Sequence, residues 1–222
     1  LYDLFVPEGG AKLKSTDLSR LNPRAVRAGV VAMDVQRKPD TRVYVVLADG
    51  TCAVVTYERD DKVVAFTTIE HEGLIKDVCA LPDDDQDDVY FVVYRNGGYY
   101  LERIAVESEQ ESISTCALLD GFKVLTGSVS SITGASHLNG KTVAVWADGR
   151  RRGDVVISGG TAALGATYAR VVYGIAYTAE CKSVKLAYAA QLGTAIGQTK
   201  TVKQAGLILS NSCLDGIRIG KD

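Results

Sequence analysis

The chain has 222 residues, enough for one large domain or two small ones, and this length can bury a sizeable core without disulfide or metal crosslinks. It is 46% hydrophobic and 23% charged, as globular proteins usually are, and its formal net charge of −2 excludes a global basic field that would steer it onto nucleic acid. No apolar run approaches the roughly 20 residues that a membrane-spanning helix requires.

The opening residues 1–14 do not resemble a signal peptide, because no basic lead is followed by an apolar block. The chain lacks an initiator Met, its one Met being Met33, and we expect it to be an internal piece of a longer protein. Its cysteines are odd in number, widely spaced and without a CxxC pair, which argues against metal and redox motifs. We expect separate thiols, mostly core fillers, in a reducing compartment. They are Cys52, Cys79, Cys116, Cys181 and Cys213.

The first half of the chain predicts a series of short antiparallel strands. A candidate helical turn at residues 15–29, interrupted by Pro23, comes first. Runs rich in Val, Thr and Tyr follow, separated by turn signals such as Asp-Gly and Asn-Gly. The predicted strands cover residues 42–48, 51–58, 62–70, 74–81, 88–95 and 99–105. Such a succession indicates an antiparallel meander, as in a sandwich, a barrel or a propeller blade.

The tripeptide Ala-Asp-Gly occurs twice, at residues 48–50 and 147–149, each time between two apolar runs. It could offer an aspartate on a glycine loop for chemistry, or it could be a hinge between two strands. We favour the hinge, because Asp-Gly tolerates the positive φ angles that tight hairpin turns require. The second hairpin has residues 141–147 and 153–158 as its arms.

The composition changes after the first series of strands. Residues 107–114 are polar and indicate a connector or a weak edge, and residues 121–140 are rich in Gly, Ser and Thr. We place a boundary at about residues 115–122, followed by a second unit that runs to about residue 190. The tail at residues 199–220 resembles one more strand pair. If it pairs with the first unit, the second unit is an insertion.

Residue types that usually carry catalysis are few. The two histidines, His71 and His137, have no His, Cys or carboxylate at a metal-ligand spacing, and a lone loop histidine is more often an ordinary feature than a base. The sequence contains no GxSxG, Walker or HExxH motif. A glycosidase would need two facing carboxylates, which spacing in an all-β chain does not reveal. We expect no enzyme activity, no cofactor, and no catalytic, cofactor-binding or metal-binding residues.

Two charged clusters leave alternatives open. The acidic residues 83–88 could bind calcium through carboxylate oxygens, but the string lacks the glycine and the closing Glu of an EF-hand. A solvated turn between strands is the simpler interpretation. The three arginines at residues 150–152 lie at the tip of the second hairpin and could contact phosphate or a partner's carboxylates. A solvated turn is again the simpler interpretation.

One long segment, residues 34–82, resembles the middle of a phage tail protein. The family is tail tubular protein B, or nozzle, of short-tailed phages and related prophages. Residues 87–105 resemble the family's next hairpin, residues 132–164 resemble its domain around Val-Trp-Ala-Asp-Gly, and the tail resembles its return segment. The positions shared in the first segment include Gln36, Arg37, Pro39, Asp40, Thr41, Arg42, Asp49, Gly50, Tyr57, Gly73, Leu81 and Pro82, with Met33 just before it. The chain departs at Phe66, where Trp is common, and at Asn139, where Glu is common.

The resemblance implies an all-β fold of antiparallel, propeller-like strands with an inserted small barrel or sandwich domain. Residues 1–118 would form the propeller-like unit, residues 119–190 the inserted domain, and residues 191–222 the returning strands. It also implies a virion protein, made in the host bacterial cytoplasm. That protein would bind copies of itself and neighbouring tail proteins around the DNA-ejection channel, with non-specific DNA contact in transit and no membrane span.

Two other functions compete with this interpretation. A carbohydrate- or receptor-binding tail module would need aromatic side chains on one exposed face, for which Trp146 and the pair Tyr99 and Tyr100 are candidates. Trp146 lies in the middle of a predicted strand, where a core role is the simpler interpretation. A hydrolytic tail enzyme would need a pocket that holds two facing carboxylates.

Overall fold

The structure is a computed structural model. It describes residues 1–7, 10–110, 112–182, 204, 206–208 and 216–220. The chain divides into two compact units, Leu1–Tyr177 and Thr178–Asp222. The returning strands predicted for residues 191–222 lie outside the described residues, apart from short stretches that form no strand. Cys213 also lies outside them.

The protein is all-β, and its strands pair antiparallel in four sheets. In the described part of the chain no helix reaches seven residues, and no sheet closes on itself. The short 3-10 helices are Leu18–Leu21, Pro23–Val26, Glu107–Gln110 and Ser136–Leu138. The strands are β1 Tyr2–Phe5, β2 Lys14–Asp17, β3 Val30–Gln36, β4 Arg42–Leu47, β5 Cys52–Glu58, β6 Val63–Ile69, β7 Leu74–Leu81, β8 Asp88–Arg95, β9 Gly98–Arg103, β10 Asp120–Ile132, β11 Thr142–Ala147, β12 Arg150–Val156 and β13 Ala162–Ile175.

The predicted strands β4 to β9 are present, but they form two separate antiparallel meanders, because β6 and β7 lie in different sheets. The ends of β7 and β8 agree with the prediction to the residue. The strands β1, β2, β3 and β10 were not predicted. The candidate helical turn is a pair of 3-10 helices, separated where Asn22 precedes Pro23. The second hairpin's return strand begins at Arg150 rather than at residue 153, because its turn has only two residues.

The sheets β3-β4-β5-β6 and β7-β8-β9 share one apolar core. Its buried residues are Tyr44, Val46, Cys52, Val54, Ile75, Val78, Val89, Phe91 and Val93. The opposite face of β4 and β5 is also buried, and Leu1 and Val26 pack on it. Burial on both faces explains why the sequence of β4 is a nearly continuous apolar run instead of an alternating one.

Both Ala-Asp-Gly hairpins are confirmed. In the first, Gly50 has φ +89° and donates its N–H to the Leu47 carbonyl over 2.9 Å. In the second, Asp148 and Gly149 have φ +48° and +75°, the signs that a type I′ turn requires at both central residues. The Asp148 carboxylate accepts the Arg170 N–H over 2.9 Å, which fixes the turn against β13.

The remaining large sheet has the order β10-β13-β11-β12 and its own apolar core. The buried residues of that core are Ile132, Ala135, Leu138, Val143, Val145, Ala147, Ile157, Val171 and Tyr173. The pairing of β10 with β13 begins at Asp120 and Ile175 and contains several register shifts. The division at residues 118 and 190 stays a prediction.

Candidate functional site

A buried arginine, Arg95, lies at the end of β8 beside the start of β10. Its side chain is only 2% exposed. Its Nε lies 2.9 Å from Glu102 Oε1 on β9, and its Nη2 donates to Asp120 Oδ1 over 2.9 Å. A buried guanidinium needs such partners, because an unpaired charge in this environment is very costly. Two carboxylates from two different sheets therefore converge on one cation.

The backbone around Asp120 fits closely against Arg95. The second carboxylate oxygen of Asp120 accepts the N–H of Glu72 over 2.7 Å. Gly121 has φ +57°, and a Cβ at this position would lie 2.5 Å from Arg95 Nη1. Only glycine suits this position, since any side chain would meet both a strained backbone and the buried guanidinium.

The two histidines of the sequence both lie close enough to this cluster to be influenced by the charges of Arg95 and Asp120. His137 is 6% exposed, and its Nε2 lies 2.8 Å from the Gly121 carbonyl, so we assign the proton to Nε2 as the donor. The ring of Tyr100 lies 5.8 Å from the His137 ring. His71 is half-buried, and neither of its ring nitrogens has a hydrogen-bond partner in the described part of the chain.

Burial is the main influence on these titratable groups. It lowers the pKa of His71, which the Arg95 guanidinium also lowers and the Asp120 carboxylate raises. Burial likewise lowers the pKa of His137, against the opposing hydrogen bond to Gly121. Burial raises the pKa of Glu102, although the charge of Arg95 acts in the opposite direction. In both histidines burial therefore favours the neutral ring over the charged one.

We name this cluster the Arg95 junction: Arg95, Glu102, Asp120, His71 and His137. From the sequence we expected the histidines to be unrelated loop residues, and the three charged members were not among the expected site residues. One signal was present, since Arg95 ends a continuous apolar run immediately before an Asn-Gly turn. The junction holds two sheets together, and its carboxylates are occupied by Arg95 and by backbone N–H groups.

The acidic residues 83–88 form the connection between β7 and β8. Asp87 is 5% exposed, and its Oδ2 accepts the N–H of Arg37 over 2.7 Å, which lowers its pKa. Lys38 Nζ donates to the carbonyls of Asp83 and Asp84. Across the residues that the structure describes, no group of three or more His, Cys, Asp or Glu side chains could hold a metal ion.

The three arginines 150–152 form the start of β12 rather than a free tip. Arg151 pairs with Asp154 over 2.8 Å. The guanidinium of Arg152 lies over the ring of Tyr168, 5.0 Å from its centre. These contacts orient two of the three side chains along the sheet.

The aromatic candidates do not share one face. Tyr99 is 69% exposed, and its ring lies 5.0 Å from that of Tyr94 on the outer side of β8 and β9. Tyr100 points the other way, toward His137. Trp146 is half-buried outside the core, and its Nε1–H donates to the Ile113 carbonyl over 2.9 Å.

The four described cysteines are free thiols, and Cys52 alone among them is buried. Cys79 and Cys181 are exposed, so the expectation that the cysteines are mostly core fillers is wrong for them. The exposed position of Cys79 follows from its register, because its partner Tyr90 lies on the face of β8 that points away from the shared core.

Apolar side chains also cover the outer faces of the two stacked sheets. On β3, Val31 and Met33 are 61% and 60% exposed. Met33 pairs with Val45, which places it on the face away from the shared core. We name this surface, formed by Val31, Met33 and Val35, the β3 face. On β9, Leu101 is 71% exposed and lies opposite Val92, again away from that core.

The second of these surfaces is the β9 face, defined by Leu74, Tyr94, Tyr99 and Leu101. Cross-strand pairing makes it continuous, since Tyr94 pairs both with Leu74 and with Tyr99. Contiguous exposed apolar patches on folded proteins commonly mark interaction sites.

A groove beside the 3-10 helix Pro23–Val26 has a volume of about 480 Å³. Arg24 and Arg27 line it together with Asp49 and Glu70. The two signs of charge oppose each other, so the groove favours neither an anion nor a cation.

No protein-family model matches the chain, and no curated protein matches it either. The resemblance to the nozzle proteins therefore stays a prediction. Within the described residues, no helix has the length and apolar character to cross a membrane.

Proposed function

We propose that the chain is a structural component of a phage tail, of the nozzle or tubular type. It assembles with other copies of itself and with neighbouring tail proteins around the channel through which DNA leaves. In this proposal it is a virion protein and not an enzyme. Its sheets belong to a propeller-like arrangement with an inserted small barrel or sandwich domain.

One observation carries the proposal: two stacked sheets have apolar outer faces, the β3 face and the β9 face. Burying one Val, Leu or Met side chain stabilises an assembly by roughly 1.5–3 kcal/mol relative to leaving it in water. The β3 face has three such side chains, including Met33, and the β9 face has two, Leu74 and Leu101. Two sheets with exposed apolar outer faces can pack against further sheets, as successive blades of a propeller do.

The two faces also differ from each other. The β3 face is aliphatic, with Val31, Met33 and Val35, whereas the β9 face contains two tyrosines. A contact between unlike faces of identical chains is heterologous, and a heterologous contact closes into a ring when its rotation allows. A ring around a channel is the assembly that the proposal requires.

The experiment is to measure the association state of the pure chain by light scattering and to image the particles by electron microscopy. We expect concentration-dependent association into closed rings. Met33→Glu on the β3 face and Leu101→Glu on the β9 face should each weaken this association. Val156→Glu on β12, at a residue 59% exposed in the other large sheet, is the matched control and should leave it unchanged. A wild-type chain that stays monomeric, or a control that weakens association equally, would count against the proposal.

A carbohydrate- or receptor-binding module is the alternative, and the exposed Tyr94–Tyr99 pair favours it. Exposed aromatic rings with polar tips are suited to stacking on sugar rings. NMR titration with host-surface polysaccharide separates the two functions. Saturable shifts confined to the β9 face, and lost in Tyr99→Ala, would support the module.

A further inference from the structure

The Arg95 junction contains both histidines of the chain, although they come from separate loops. His71 precedes β7, and His137 lies in the 3-10 helix Ser136–Leu138 that follows β10. Histidine is the side chain whose charge changes most readily near neutral pH. Two histidines at one contact between sheets make that contact the part of the described chain most sensitive to mild acid.

Several polar contacts hold the β7-β8-β9 sheet to the sheet that begins with β10. Asp120 bonds both Arg95 and the Glu72 N–H. Asn96 Nδ2 donates to the Ser136 carbonyl over 2.7 Å, and Lys141 pairs with Glu72. Apart from the buried Arg95 pairs, these contacts are exposed, so the junction depends mainly on its buried centre.

The charged groups around the histidines determine what protonation does. His71 is influenced by Arg95, by Asp120 and by Glu72 of its own loop. A proton on His71 would place a second cation near Arg95 in a half-buried site, where burial disfavours the charged ring.

His137 is in a similar position. It is influenced by Arg95, Asp120 and Lys123, and it lies against the ring of Tyr100. Its Nε2 already bonds the Gly121 carbonyl, so an added proton would occupy the other ring nitrogen. That proton would bring a charge into a buried site that already contains Arg95.

We propose that the Arg95 junction is an acid-released latch, which holds the β10-β13-β11-β12 sheet against the β7-β8-β9 sheet while both histidines are neutral and loosens when they are protonated. This inference concerns motion within one chain and does not depend on a role in tail assembly.

The direction of the pH effect follows from proton linkage. A histidine whose pKa is lower in the closed junction than in the open one binds its proton preferentially in the open form. The contribution of the neutral histidines to closure is therefore complete above the ordinary histidine pKa of 6.5, and it is lost as the pH falls from there toward the lowered values. Glu102 acts in the opposite direction, because its raised pKa favours proton binding in the closed form.

The experiment is amide hydrogen exchange by NMR on the whole chain, at about pH 7.5 and about pH 5 and corrected for intrinsic rates. The reporter is the Glu72 N–H, which bonds Asp120 across the junction. The control is the Val54 N–H in the shared core. Between the higher and the lower pH, we expect the exchange protection factor of the Glu72 N–H to fall at least about threefold more than that of the Val54 N–H. Equal changes at the two amides would overturn the latch.

Two variants test whether the histidines cause the effect. The double variant His71→Phe with His137→Gln keeps the ring volume at position 71 and a hydrogen-bond donor at position 137. It should remove most of the acid-dependent loss of exchange protection at the Glu72 N–H. An undiminished loss would overturn the proposal. Direct NMR titration of both rings in the wild-type chain requires no variant. Each should titrate below 6.5, and a ring that titrates at or above 6.5 would also overturn it.

Discussion

Tyr44 donates its hydroxyl to the side-chain oxygen of Gln36 over 2.9 Å, and both side chains are almost fully buried. Gln36 in turn donates its amide to the carbonyls of Lys38 and Asp87. The bond therefore links β3 and β4 to the acidic connection that precedes β8. A buried amide with all of these partners fixes one register and one loop conformation at the same time.

Tyr44→Phe should lower the free energy of unfolding by about 1–3 kcal/mol, because it leaves the Gln36 oxygen buried without its donor. Urea denaturation measures this loss. Tyr90→Phe is the matched control, since the Tyr90 hydroxyl bonds Asp88 in a half-buried position and its loss should cost less. Equal effects of the two changes would contradict the importance of the buried bond.

Gly50→Val should destabilise the protein more than Gly149→Val. Both positions have positive φ, which costs a side-chain-bearing residue about 1–2 kcal/mol. At Gly50 a Cβ would also lie 2.6 Å from Leu74 Cδ2, whereas at Gly149 the nearest atom is 3.9 Å away. Overpacking adds about 1–3 kcal/mol at the first site.

Thermal unfolding of the two glycine variants gives the order directly. Gly98→Ala is the control, because Gly98 does not have a positive φ and the nearest atom is the flexible end of Tyr100. A melting temperature that is unchanged in Gly50→Val would contradict the assignment of this turn.

Asp120→Ala should lower the free energy of unfolding by about 3 kcal/mol, because it removes one of two partners of a buried guanidinium. The comparison variant is Asp154→Ala, which breaks an exposed pair with Arg151 and should cost less than about 1 kcal/mol. Chemical denaturation of both variants tests the contrast. If Asp154→Ala costs as much as Asp120→Ala, the burial of Arg95 does not control the energetics of the junction.

Cys52 should resist thiol-specific labelling in the folded chain at neutral pH, whereas Cys79 should react. Burial raises the pKa of the Cys52 thiol from 9.0 to about 11. At neutral pH a thiol with this pKa has roughly a hundredfold less of the reactive thiolate than an ordinary cysteine. Mass spectrometry after brief labelling gives the extent of labelling of Cys52 relative to Cys79. Full labelling of both thiols in urea is the control. Rapid native labelling of Cys52 would contradict its burial.

Replacing residues 120–175 by a short Gly/Ser linker should leave the β3 to β9 strands folded. Asp120 and Ile175 are cross-strand partners, so the ends of the segment lie close together. NMR spectra of both pieces check this prediction. Collapsed, undispersed amide peaks in either piece would mean that the two share one core, and the predicted domain division would be wrong.

Most strands that were predicted from the sequence pair locally, although the local pairs β1-β2 and β3-β4 show that local pairing alone was not sufficient. From β4 to β9, each strand pairs with the next one across a short connection, except between β6 and β7. The strand β10 was not predicted, because its sequence is rich in Gly and Ser and its partner β13 is distant in the chain. The strand β3, Val30–Gln36, does contain an apolar run and was overlooked, and its side chains are mostly exposed in the structure.

The Arg95 junction could not be predicted, for a related physical reason. Its contacts join Arg95 to Asp120 and Asp120 to Glu72, across two sheets whose relative placement depends on packing. The two histidines are evident in the sequence, but an isolated residue type does not indicate its neighbours in space. A tight turn can be predicted because it depends on adjacent residues. A buried cluster of residues that are distant in the sequence depends on how the sheets pack.

The pairing of β10 with β13 also constrains how the chain folds. The two meanders between β4 and β9 can form hairpin by hairpin as they leave the ribosome, because each strand finds its partner nearby. The β10 strand must instead wait until β13 has been synthesised. During that interval its 13 residues have no partner strand, so their Gly- and Ser-rich composition is suited to a segment that has to avoid premature aggregation.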